Sequence, residues 1–107
     1  MTHVTLPTPL YVILDQGAAG GRDLGPRLDA VLEGGCRVVQ LREKTMPLNE
    51  LYPVARALRR RCREAACLFI VNDRVDLALA LEADGVHVGQ DDLPAREARR
   101  LLRPGMI

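Results

Sequence analysis

The sequence predicts an α/β fold built on a parallel sheet, and three observations carry that prediction. Short apolar runs recur along the 107-residue chain. The stretches between them are spaced like amphipathic helices, and the intervals between successive runs are long enough for a helical crossover. Strict alternation of strand and helix is the pattern of right-handed βαβ units, since parallel neighbours cannot be joined by a tight hairpin.

The first strand is expected at Leu10 to Leu14, followed by a flexible loop from Gly17 to Gly21. Leu24, Leu28, Val31 and Leu32 then share one helical face, and Gly34-Gly35 suits the helix stop. A second strand is expected at Val38 to Leu41, and Leu51, Val54, Leu58 and Cys62 mark the next helix. Pro53 lacks the N–H that an interior turn requires, which places the start of that helix near Leu51 rather than at Leu48, or else bends it. The third strand, Leu68 to Val71, leads into a helical stretch between Arg74 and Ala83 that carries Val75, Leu77, Ala78, Leu79 and Leu81. The fourth, Gly85 to Val88, precedes a helix over Leu93 to Leu102, with Pro94 suited to an early helical position.

After Pro104-Gly105, Met106-Ile107 reads as the opening of a fifth strand. Four βα units with their crossovers on one side amount to half of an eight-unit TIM barrel, here a single domain over residues 1–107. Alternate positions among Tyr11, Ile13, Val39, Phe69, Val71 and His87 are then expected to line the barrel interior. They would face water unless covered, so the sequence predicts a homo-oligomer or a complementary C-terminal half.

Composition removes several function classes. Fifteen Lys and Arg against fourteen Asp and Glu give a net charge of +1, too balanced for nucleic acid or an anionic membrane as the main partner. Aromatic residues are 3% with no Trp, too few for a base-stacking platform or a membrane-interface belt. No apolar stretch approaches the roughly 20 residues that span a bilayer. Met1 to Pro9 lacks the basic-then-apolar pattern of a secretion signal, and Cys36, Cys62 and Cys67 are odd in number without CxxC spacing, so a cytoplasmic protein is expected. With only His3 and His87 beside those cysteines, a zinc site is not expected. Arg56, Arg59, Arg60, Arg61 and Arg63 crowd the second helix and read as a solvated charged face.

In parallel α/β folds the ligand site lies beyond the carboxyl ends of the strands. All four ends are polar: Asp15-Gln16, Gln40 to Lys44, Asn72-Asp73-Arg74, and Gln90-Asp91-Asp92. Period two puts Gln40, Arg42 and Lys44 on one face and Leu41 and Glu43 on the other. An amide beside a guanidinium and an ammonium suits a di- or polyphosphate. Asp73 and Asp92 follow different strands and suit Mg²⁺, which takes one or two carboxylates together with phosphate oxygens. Asp73, Asp91 and Asp92 equally suit helix caps, and sequence does not separate the two roles. His87 alternates with Val86 and Val88, and a lone strand histidine reads as a hydrogen-bonded core residue; no catalytic residue is assigned.

Four segments together carry a family resemblance: Leu10-Tyr11-Val12-Ile13, QLREK at Gln40 to Lys44, VNDRVDLALA at Val71 to Ala80, and DGVHVGQDDLP at Asp84 to Pro94. In this order they resemble thiamine phosphate synthase, over the N-terminal half of that family's barrel. The resemblance implies a Mg²⁺-dependent transferase of thiamine biosynthesis that joins hydroxymethylpyrimidine diphosphate to thiazole phosphate and releases pyrophosphate. It places Gln40, Arg42, Lys44 and Asn72 on the pyrimidine diphosphate and Asp73 and Asp92 on the metal. The family's later phosphate loops, which hold the thiazole phosphate, have no counterpart in these residues. The alternatives are a non-catalytic pyrophosphate-binding or dimerisation module and a thiazole tautomerase-like relative.

Overall fold

The computed structural model describes residues 10–17 and 23–107. The elements run β1 (Val12–Asp15), α1 (Gly25–Glu33), β2 (Val38–Arg42), α2 (Leu48–Glu64), β3 (Leu68–Asn72), α3 (Val75–Leu81), β4 (Gly85–His87) and α4 (Ala95–Leu101). The strands form one parallel sheet in the order β1-β2-β3-β4. Sequential order, with each strand beside its predecessor, is the stave arrangement of a barrel rather than the reversal of a doubly wound sheet. The expected loop from Gly17 to Gly21 and the residues Met1 to Pro9, including His3, lie largely outside the described residues.

Strand phase sorts the side chains. Leu14, Val39, Leu41, Phe69 and Val71 share one buried cluster with Leu28 of α1, Leu58 of α2, Leu77 of α3 and Ala98 of α4, so all four helices cover the same face of the sheet. Phe69 is the largest side chain sealed in this layer, and truncating it to alanine costs about 3–5 kcal/mol by the usual cavity argument. The opposite, inner face carries Tyr11, Ile13, Gln40, Ile70, Asn72 and His87, and no helix among the described residues packs on it. Tyr11 and Ile13 are exposed there, as expected, and His87 is exposed beside them. Val39, Phe69 and Val71 are not interior-lining residues: they sit one position out of phase and pack under the helices.

Two helix starts differ from expectation. α2 begins at Leu48, because the Pro47 carbonyl accepts the Glu50 and Leu51 N–H groups at 3.0 and 2.9 Å and sets the first turn. Pro53 is tolerated inside it because Asn49, whose carbonyl loses its usual donor, is solvent-exposed and can bond water. Pro94 caps α4 from outside rather than occupying its first turn. The expected stop at Gly34-Gly35 holds: Gly35 takes φ 91°, where a Cβ is disfavoured.

Among the described residues the sheet has four strands, and Ile107 makes strand-like backbone bonds to β4 at the place predicted for a fifth. Val86 N–H donates to the Ile107 carbonyl at 3.0 Å and Ile107 N–H donates to the Asp84 carbonyl at 2.8 Å, which together make a parallel bridge around Gly85. A Cβ on Gly85 would collide with the Ile107 backbone, so glycine is what permits this close approach. No helix among the described residues is long and apolar enough to cross a membrane.

Candidate functional site at the carboxyl ends of the strands

The inner face is organised in rungs across the sheet. One rung holds Ile13, Gln40, Ile70 and Gly85; the next, toward the carboxyl ends, holds Asp15, Arg42, Asn72 and His87. Gln40 and Asn72, 3% and 8% exposed, are the buried polar side chains among the described residues. They belong to one relay, in which Asn72 Nδ2 donates to Gln40 Oε1 at 2.8 Å and Gln40 Nε2 donates to the Tyr11 hydroxyl at 2.9 Å. Asn72 Oδ1 is buried without a partner among the described residues. An orphaned buried acceptor carries the desolvation cost of that group.

The two cations reach the rim differently. Arg42 ends β2, and its guanidinium donates to Asp15 Oδ2 on the paired strand at 2.7 Å. Lys44 lies beyond the strand in a bend, so period two does not place it; the bend carries Lys44 Nζ to 3.9 Å from Asp73 Oδ2. Glu43 turns away as expected. Its Oε1 accepts the Thr45 and Met46 N–H groups at 2.7 and 3.0 Å, and these bonds, Thr45 first, hold its carboxyl below the usual range.

Asp73 sits in a three-residue turn at the end of β3. Its φ is 73°, Arg74 N–H donates across it to the Asn72 carbonyl at 2.8 Å, and its own N–H donates to the His87 carbonyl at 2.7 Å. Such a turn is rare and strained for a residue with a side chain, and it is held by bonds to the neighbouring strand. Asp92 is fixed from the β4–α4 loop, where its Oδ2 accepts the Gly89 N–H at 2.7 Å. The two carboxyls face each other. The hydrogen-bonding interaction with Asp92, more than burial or the Asp92 charge, pushes the Asp73 carboxyl up, while the Gly89 N–H holds Asp92 down. Of the two, Asp73 holds its proton more tightly and Asp92 gives its proton up more readily.

The capping role does not hold for these aspartates. α3 and α4 are capped by Arg74 and Pro94 without side-chain bonds, so Asp73, Asp91 and Asp92 cap neither helix. No group of three or more His, Cys, Asp and Glu able to hold a metal is found among the described residues. A carboxyl pair alone fits Mg²⁺, which needs only one or two protein carboxylates when phosphate and water complete its shell. His87 is not a core residue: it is exposed on the inner face, on the Asn72 rung. The three cysteines are buried free thiols, and burial pushes Cys62 and Cys67 up.

The family model for thiamine monophosphate synthase matches residues 10–107. The chain belongs to the thiamine monophosphate synthase family. It is 50% identical over 98 residues to the thiamine-phosphate synthase of Moorella thermoacetica, covering 92% of this chain and 47% of the relative. A second relative, the thiamine-phosphate synthase of Roseiflexus sp., is 51% identical over 98 residues, 42% of its length. The solved thiamine phosphate pyrophosphorylase of Pyrococcus furiosus matches with TM-score 0.74 and 40% identity over 91% of this chain and 46% of that one. The chain thus spans about half the length of these relatives, in keeping with a half-barrel.

Within this thiamine monophosphate synthase family chain, the predicted residues Arg42, Lys44, Asp73 and Asp92 converge on one rim. Gln40 and Asn72 lie inside it as a bonded pair. Sequence reasoning missed two contributors. Tyr11 anchors the relay, and the signal for it was its phase with Ile13 on the inner face. Asp15 anchors Arg42, and the signal was its place at the end of the adjacent strand.

Proposed function

We propose that this chain carries the diphosphate- and magnesium-binding half of a thiamine phosphate synthase site. In that reaction hydroxymethylpyrimidine diphosphate loses pyrophosphate to the incoming thiazole phosphate, giving thiamine phosphate. The observation that carries the reading is the Asp73–Asp92 carboxyl pair beside Lys44, at the ends of two adjacent strands. Two acids held together next to a cation are costly to the free protein and suit a bridging cation and an anionic ligand.

In this reading Asp73 and Asp92 hold the metal, which when bound would offset charge developing on the departing pyrophosphate. Lys44 and Arg42 meet the same charge from the protein side. Lys44 acts as a point charge, and Arg42 is held in place by Asp15 so that little freedom is lost on binding. The buried amides of Gln40 and Asn72 orient the pyrimidine diphosphate above the inner face, with Tyr11 fixing the rotation of Gln40. We place the thiazole phosphate on the part of the relatives that this chain does not span. We also read residues 1–107 as one half-barrel unit whose inner face is covered by a complementary half or a second copy.

The test is fragment complementation. The 107-residue chain is mixed with both substrates and Mg²⁺, with and without a C-terminal half of the Moorella relative, and thiamine phosphate is measured. Product only in the mixture, lost with Asp73→Asn, is the expected result. No product from a mixture in which the two halves demonstrably associate would overturn the reading.

A further inference from the structure

A groove of about 610 Å³ lies between α2 and α3 on the helical layer, within the size range of small-molecule sites. Its walls carry Arg56, Arg59, Arg60, Arg63 and Arg103, with Tyr52 at the rim. The four groove arginines on α2 have neighbours three and four residues apart, so each has like-charged neighbours along one stripe, an arrangement that disfavours the helix.

Two of the five are already committed. Arg59 donates to the Glu82 carbonyl at 3.3 and 3.0 Å and to Asp84 Oδ2 at 3.1 Å, and Arg103 pairs with the Glu82 carboxylate at 3.2 Å. Glu82 itself is held at φ 52°, so the floor of the groove is fixed by bonds that outweigh a backbone preference. Glu64 is then the remaining acid in the lining, against Arg56, Arg60 and Arg63, whose side chains make no ion pair or hydrogen bond among the described residues. α2 returns antiparallel to the strands, so this stretch lies toward their amino ends, away from Asp73 and Asp92, and shares no residue with the strand-end site.

We propose that this groove is a second anion site, one that takes a polyphosphate chain, free or carried on a nucleotide, without a metal. Three unpaired planar guanidiniums around a rigid floor match several phosphate oxygens at once, and a bound polyanion would relieve the repulsion along α2. This site stands independently of the function proposed for the strand ends.

The experiment is calorimetric titration of the 107-residue chain with inorganic triphosphate in a chelator, at low salt, so that no metal-bridged binding contributes. The variant Arg56→Gln/Arg60→Gln/Arg63→Gln is expected to lose at least about tenfold in affinity, since its charge-assisted contacts go. Its melting temperature should not fall, since like charges are removed. The strand-end variant Arg42→Gln/Lys44→Gln should change affinity by less than about twofold. Equal binding of ATP and triphosphate identifies the phosphate chain as the ligand. Tighter ATP binding that is lost in Tyr52→Ala identifies a nucleotide. Unchanged binding in the triple variant, loss in the strand-end variant, or tighter binding of duplex DNA than of either phosphate would overturn the proposal.

Discussion

Replacing Gln40 by leucine isolates the energetic standing of the buried relay. Among the described residues Asn72 Oδ1 has no partner, and its Nδ2 is satisfied only by Gln40 Oε1. Gln40→Leu strands the whole Asn72 amide at a position 8% exposed. Each buried unsatisfied group costs about 1–3 kcal/mol, and a domain of this size loses about 4–8 °C of Tm per kcal/mol, so a fall of at least about 4 °C is expected. The double variant Gln40→Leu/Asn72→Leu removes both amides and fills similar volume. Its Tm should return to, or exceed, that of the parent, because no polar group is then left buried and unbonded. Tyr11→Phe should cost less, about 1 kcal/mol, because the ring is 37% exposed and water can replace the hydroxyl beside Gln40. Thermal unfolding followed by circular dichroism reads all four proteins. A double variant less stable than Gln40→Leu would refute the reasoning, since the amide pair would then hold the fold together rather than be carried by it. If the reasoning holds, the double variant gains stability and loses Mg²⁺-dependent pyrophosphate binding.

Arg42→Ala and Lys44→Ala should each weaken Mg²⁺-dependent pyrophosphate binding by about tenfold, whereas Glu43→Ala, whose carboxylate is spent on the Thr45 and Met46 N–H groups, should change it by less than about threefold; calorimetry on the three variants makes the comparison. Gly85→Ala should destabilise the chain by about 1–3 kcal/mol and speed exchange of the Val86 amide, because the new Cβ displaces Ile107, the acceptor of that N–H. Cys36, Cys62 and Cys67 should resist alkylation at neutral pH and react fully in denaturant. All three are buried and the Cys62 and Cys67 thiols are pushed up, so raising the pH through the ordinary thiol range should not expose reactivity in the native state.

What was legible in the sequence followed from period and punctuation. Apolar runs of strand length, helical spacing between them and Gly34-Gly35 at a turn yielded four units in the right order, and the polar strand ends located the rim. Strand phase was less legible. β2 and β3 are buried on both faces, so Val38 and Val39, or Ile70 and Val71, look alike in sequence and the interior set was partly misassigned. The key backbone positions were invisible, because Ala66, Asp73 and Glu82 take positive φ without being glycine; Asp73 and Glu82 are held there by tertiary bonds and Ala66 by the closing turn of α2 rather than by residue type. Lys44 reached the site through a bend that alternation could not foresee, and Pro53 misled because its lost bond falls on an exposed carbonyl.

The central claim is that Asp73 and Asp92 form a platform for a metal-bridged diphosphate. The most direct measurement is calorimetric titration of pyrophosphate, with Mg²⁺ and with chelator, into the chain bearing Arg56→Gln/Arg60→Gln/Arg63→Gln, so that the outer groove is silent. The account predicts binding that requires Mg²⁺ and weakens at least about tenfold when either Asp73→Asn or Asp92→Asn is added to a chain that still folds. Binding of equal strength in chelator, or binding indifferent to both substitutions, would contradict it.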